Sequence, residues 1–191
     1  MPEMRRKIAE LFAYMDSTRA SLVTCAREMN ASFASIRPRD GQWSAAENMA
    51  HLAKVERNVA EMMSRVISAA REQGIGPDTS DESFINSLDA WRVSEALTKL
   101  SAPERIVPEQ GTTVGESIAS LEASRARLKQ IILDNSDIDL AAVKRTHPVL
   151  QDIDMFQWAL FVAQHEERHR KQMERTIAEV TERAAECAPI V

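Results

Sequence analysis

The sequence predicts an all-α protein: a four-helix bundle with one or two extra short helices and long crossover loops. Three observations carry this. Ala, Glu, Arg, Leu and Met are common and only five glycines interrupt 191 residues, a composition that loses little side-chain freedom in helices. Apolar residues recur at three- and four-residue steps over four long stretches, the period of an amphipathic helix. Several of these stretches open on residue pairs that cap a helix N-terminus. No stretch of strict apolar–polar alternation persists, and no internal repeat is evident.

The first helix is expected from about Glu3 to Phe33, with Ile8, Leu11, Phe12, Met15, Leu22, Cys25, Ala26 and Met29 on its apolar stripe. Arg19 interrupts that stripe. It reads as an arginine whose stem covers the bundle's edge while its head reaches water, with capture of an anionic substrate as the alternative. "SIRPRDGQ" then breaks the helix through Pro38 and Gly41.

The second helix starts at Ser44, with Glu47 three residues on. In that capping box each side chain accepts from the other's backbone N–H. The helix should run to about Glu72, with Leu52, Val55, Val59, Met62 and Val66 inward. "QGIGPDTSDES" is a loop, and a shorter helical segment is expected from about Ile85 to Leu100. "SAPERIVPEQG" reads as an extended connection, since proline disfavours helix in the residue before it. Thr113 and Glu116 form a second capping box for a third helix, to about Leu133, with Val114, Ile118, Leu121, Leu128, Ile131 and Ile132 as its stripe. The next twenty or so residues read as irregular. Asp154 and Gln157 then resemble a third cap, opening a long helix to about Ala185.

Apolar residues make up 44 % of the chain and charged residues 28 %, the balance of a soluble globular protein. One domain over residues 1–191 is expected. The formal net charge of −5 and a pI near 5.5 exclude a general nucleic-acid footprint. No run is long and apolar enough for a membrane span. Cys25 and Cys187 share no metal-ligand spacing, so a reducing compartment fits. The opening residues lack the apolar core of a secretory signal, and a cytoplasmic protein is expected.

The chemistry lies in the histidines. There are four: His51, His147, His165 and His169. His165 and His169 share a helix face with Trp158, Val162 and Met173, and His51 sits at the edge of the second helix's inward stripe. A lone core histidine is usually hydrogen-bonded to a neighbour. An i, i+4 pair brings two imidazoles close enough to share a cation, and three imidazoles on one divalent ion leave an open coordination position.

His165-Glu166-Glu167-Arg168-His169 also matches H-E-x-x-H, the metalloprotease pattern with Glu166 as base. That reading needs a third ligand downstream. The chain continues within the same helix, so Glu174, Glu179 and Glu182 cannot fold back, and no substrate-binding strand is predicted. Glu166 is rotated about 100° from His165 and is expected to face solvent. A di-iron site needs E-x-x-H on two helices. Glu166 and His169 supply one such pair, but Asn48 and Val162 precede the other two histidines by three. A mononuclear site survives this elimination.

"WSAAENMAHLAKVE" and "THPVLQDIDMFQWALFVAQHEERHRKQME" resemble the second- and last-helix motifs of the DinB-like (YfiT-like) bundles: a Trp-Ser start leading to His-Leu, then a His-Pro lead-in, an aromatic stretch and H-x-x-x-H. The resemblance implies a metalloenzyme fold holding one divalent metal, usually zinc or nickel with iron also suited, on His51, His165 and His169. It further implies a small-molecule substrate, a low-molecular-weight thiol in characterised relatives, with transferase or isomerase chemistry; a metal that activates bound water would equally suit hydrolysis. No catalytic acid or base is assigned. The alternative is a non-catalytic bundle binding a small ligand or a protein partner, with the metal structural or absent. A homodimer is compatible with either. The lead-in lacks the glycine that such proteins often place soon after Pro148, and His147 is expected to cap or pack in that loop, with a place as a fourth metal ligand as the alternative.

Overall fold

The structure is a computed structural model that describes residues 4–95, 104–109 and 111–186. Four long helices dominate: α1 (Arg6–Glu28), α2 (Ala45–Glu72), α3 (Val114–Asp134) and α4 (Met155–Glu186). α2 packs against α3 and α4, and α4 also packs against α1.

The helix starts follow their caps. Ser44 Oγ accepts from the Glu47 N–H, and Glu47 returns the bond to the Ser44 N–H. Thr113 and Glu116 repeat the arrangement at α3. Asp154 and Gln157 exchange the same pair of bonds, at 3.1 and 2.8 Å, where α4 begins. Each cap satisfies backbone donors that a helix N-terminus leaves without partners.

The apolar stripes are inward, with small shifts of phase. On α2 the large apolar side chains buried beyond Val59 are Met63 and Ile67, with Met62 and Val66 only half-buried, because the true 3.6-residue period drifts from a strict three-four count. α1 ends at Glu28 rather than Phe33. The expected helix after Ile85 is a set of turns with one 3₁₀ turn at Asp89–Trp91. Its part beyond Glu95 lies outside the described residues, as does Cys187. A second 3₁₀ turn, Glu104–Ile106, stands where an extended connection was expected.

One expectation fails outright. The stretch before α4 is a β-hairpin, β1 (Lys144–His147) paired antiparallel with β2 (Gln151–Asp154). Five of its eight residues are exposed, so it has no apolar alternation to betray it. Pairing is set by the tight turn instead: His147 Nδ1 accepts from the backbone N–H groups of Val149 and Leu150, both at 3.1 Å. The left-handed position of this lead-in falls on Gln151 (φ 61°), a conformation that favours glycine.

The core is divided. One apolar cluster gathers Met15 of α1, Val59 of α2, Leu128 of α3 and Leu160 of α4 with their neighbours. A second holds Leu22, Met49, Leu121 and Met173. Between them each helix contributes one charge: Arg19, Glu56, Arg125 and Glu166. All four are buried, at 9, 2, 5 and 1 % exposure.

These side chains close a ring. Arg19 donates to Glu166 (2.5 Å) and to Glu56 (2.6 Å). Arg125 donates to Glu56 (2.6 Å) and to Glu166 (2.9 Å). Thr18 adds a bond to Glu166, and Ser124 one to Glu56. The remaining guanidinium donors reach the carbonyls of Leu121 and Met15. Formal charges cancel, which is how buried ions are tolerated. Burial alone would lower the Arg125 pKa, but the two carboxylates outweigh it and hold it above its ordinary value.

Arg19 is therefore neither an edge arginine nor an anion hook, and Glu166 does not face solvent. Their local sequences hide both roles for one reason. A buried ion pair between distant helices leaves no pattern in either helix's own sequence.

Candidate metal centre

α2 and α4 lie side by side and bring His51, His165 and His169 together. Their ring centroids are 4.5 Å (His165–His169), 4.8 Å (His51–His169) and 5.4 Å (His51–His165) apart. One ligating atom from each lies within 4.8 Å of the other two, so the cluster could hold a metal ion.

The rings are oriented from behind. His51 Nδ1 is 2.7 Å from the carbonyl oxygen of Ile106. A carbonyl can only accept, so Nδ1 carries the proton and Nε2 keeps its lone pair. His169 Nδ1 is 2.8 Å from Asn48 Oδ1. The Asn48 amide is fixed by its Nδ2 donating to the Ser44 carbonyl at 2.9 Å, so its oxygen faces the imidazole and His169 is likewise Nδ1-protonated. Such outer partners set the tautomer and direction of metal-binding histidines. His169 Nε2 lies 3.1 Å from His165 Nε2, close to the ~3.4 Å between two nitrogens on a tetrahedral zinc with ~2.0–2.1 Å bonds. The donor set therefore fits a divalent transition metal.

Aromatic rings wall the cluster. Trp43 lies 4.7 Å from His51, and Phe161 stacks 5.2 Å from His165. His147 packs on Phe161 and Trp158 and stands outside the cluster, its Nδ1 occupied by the hairpin's amides. Glu47 is committed to its cap and to Arg37.

Burial pushes all these imidazoles toward the neutral, ligating form. The His51 pKa is lowered by desolvation, partly opposed by its bond to Ile106. Those of His165 and His169 fall well below the usual histidine range, first through burial and then through the neighbouring histidines and Arg168. That of His147 falls to about 4 by burial.

The unfolded chain thus takes up protons near pH 6.5 that the folded chain refuses. Histidine-linked stability of the metal-free protein is complete above about pH 6.5 and is lost as pH falls below it. Urea unfolding in the presence of chelator should show a decline between pH 6.5 and 5.5, and a flat or rising curve there would contradict the burial of these rings.

The sequence reading missed Asn48, the Ile106 carbonyl and Trp43. Asn48 lies three residues before His51, on a neighbouring part of the same helix face, which was the available signal. The Ile106 carbonyl had none, because a backbone acceptor carries no residue type.

A profile of the DinB superfamily matches residues 7–173. The chain belongs to the DinB superfamily. Among curated proteins it is similar to the uncharacterized protein YuaE of Bacillus subtilis (strain 168), 26 % identical over 149 residues that cover 78 % of this chain and 85 % of that protein. Among solved structures it resembles TT2238, described as a four-helix bundle protein, with a TM-score of 0.58 and 20 % identity over 88 % of this chain and 98 % of that one. The last likeness concerns the fold alone. As in the sequence reading, no helix among the described residues is long and apolar enough to cross a membrane.

Proposed function

We propose that this DinB superfamily protein is a mononuclear metal-dependent enzyme in which His51, His165 and His169 hold one divalent ion, zinc or nickel, with iron also compatible with imidazole. A divalent ion held by three neutral imidazoles keeps its full charge and lowers the pKa of a water or thiol in its open position. That chemistry suits a thiol-dependent transferase or a hydrolase acting on a small molecule.

The observation that carries the reading is the pair of Nδ1 anchors. Ile106 and Asn48 hold two rings so that Nε2 is left for a ligand. Asn48 is a positioning residue here. Asn48→Ala should weaken zinc binding by about 10–100-fold while the α-helical circular dichroism signal persists, and unchanged affinity would remove Asn48 from the site.

Glu166 cannot serve as a general base in this reading, since Arg19, Arg125 and Thr18 occupy both its oxygens. With Glu47 also committed, a second reading has some support: a bundle that binds a ligand or partner without catalysis. Elemental analysis of the native protein is the decisive measurement. The enzyme reading expects about one zinc or nickel per chain, and turnover with a thiol co-substrate separates it from the second reading. A protein that carries no metal and takes up neither zinc nor nickel after chelation would overturn the metal site.

A further inference from the structure

On the flank of the bundle between α2 and α3 lies a groove of about 620 Å³, within the size range of small-molecule sites. Arg57, Glu61 and Arg65 stand along its α2 side at four-residue steps, and Arg127 faces them from α3. Among the described residues these three guanidiniums form no hydrogen bond or ion pair, although Glu61 lies one turn from both Arg57 and Arg65. Most other arginines of the protein are paired, including those of the buried ring. Ala60 and Ala123 also line the groove with small side chains, and Ser64 and Ser120 add two hydroxyl groups with no partner among the described residues.

We propose that this groove binds a small phosphorylated compound. Three forked guanidiniums and two hydroxyls match an anion with several acceptor oxygens, the arrangement in which arginine is preferred. Glu61 gives the same ligand one acceptor for a hydroxyl or amino group. The acidic balance of the chain (net −5) and Glu61 in the middle of the arginine row oppose an extended nucleic-acid strand. A symmetric second copy fits poorly. An antiparallel α2 pair centred on Glu61 would set Glu61 against Glu61 and Arg57 against Arg65. The proposal is independent of the metal site, since none of the three histidines lines the groove.

The test is calorimetric titration of the full chain with inorganic pyrophosphate, and with citrate as a carboxylate of similar charge. The wild type should bind pyrophosphate saturably and more tightly than citrate. Arg57→Gln with Arg127→Gln should weaken it at least ~10-fold. Arg27→Gln with Arg145→Gln removes two exposed, unpaired arginines elsewhere and should change it less than ~2-fold. All four positions are exposed, and circular dichroism verifies that each variant folds. Absence of saturable pyrophosphate binding, equal loss in the control variant, or citrate binding as tight as pyrophosphate would each overturn the proposal.

Discussion

Arg125→Ala is expected to lower the unfolding free energy by about 3–5 kcal/mol, the range for breaking a buried ion pair by removing one partner. Native domains are stable by only about 5–15 kcal/mol, so this one change takes a large share. The loss has identifiable sources. Glu56 and Glu166 each give up a charged donor, at 2.6 and 2.9 Å, and the Met15 carbonyl gives up another. The ring changes from neutral to a net charge of −1 between two apolar clusters. Denaturant unfolding measures it directly.

The companion experiment decides whether the ring acts as a unit. Removing Arg125 and Glu56 together, as Arg125→Met with Glu56→Met, restores neutrality and leaves the Arg19–Glu166 pair at 2.5 Å intact. The double variant should lose less than the sum of the two single variants. Simple additivity would mean that the four charges are independent.

The second large effect concerns the metal. His165→Ala is expected to abolish stoichiometric zinc or nickel binding and, with it, the concentration-dependent rise in Tm that a ligand selective for the folded state produces. The loss should exceed the ~10–100-fold expected from outer partners such as Asn48, because a ligating atom is removed. His165 is only partly buried, so the variant should remain folded. His147→Ala is the internal contrast. His147 lies outside the three-histidine cluster and its Nδ1 serves the hairpin, so metal content should be unchanged. Stoichiometric metal retained by His165→Ala, or lost from His147→Ala, would refute the ligand set.

The helices and the histidine grouping were legible because both are local or periodic. Capping boxes at Ser44 and Thr113 and the Asp154–Gln157 pair sit within four residues of sequence. The i, i+4 spacing of His165 and His169 fixes their common face whatever the rest of the chain does. His51 joined them through its place on an inward stripe and through a family motif, not through any long-range signal in the sequence. The exposed hairpin was illegible for the converse reason. Strand pairing that buries little apolar surface imposes no alternation.

By itself, then, the sequence determined four helices, the starts of the three that open on caps, their apolar faces to within a small shift of phase, and which histidines look inward, since each follows from periods and pairs a few residues long. Only the tertiary structure decided what Arg19 and Glu166 are for, which groups hold the imidazoles, and that three unpaired arginines line one groove. Charge balance and hydrogen-bond satisfaction are settled between groups far apart in the chain: Arg19 and Glu166 are 147 residues apart, and Asn48 and His169 are 121. A buried charge must find its counter-charge wherever the packed helices place one, and no local pattern records where that is.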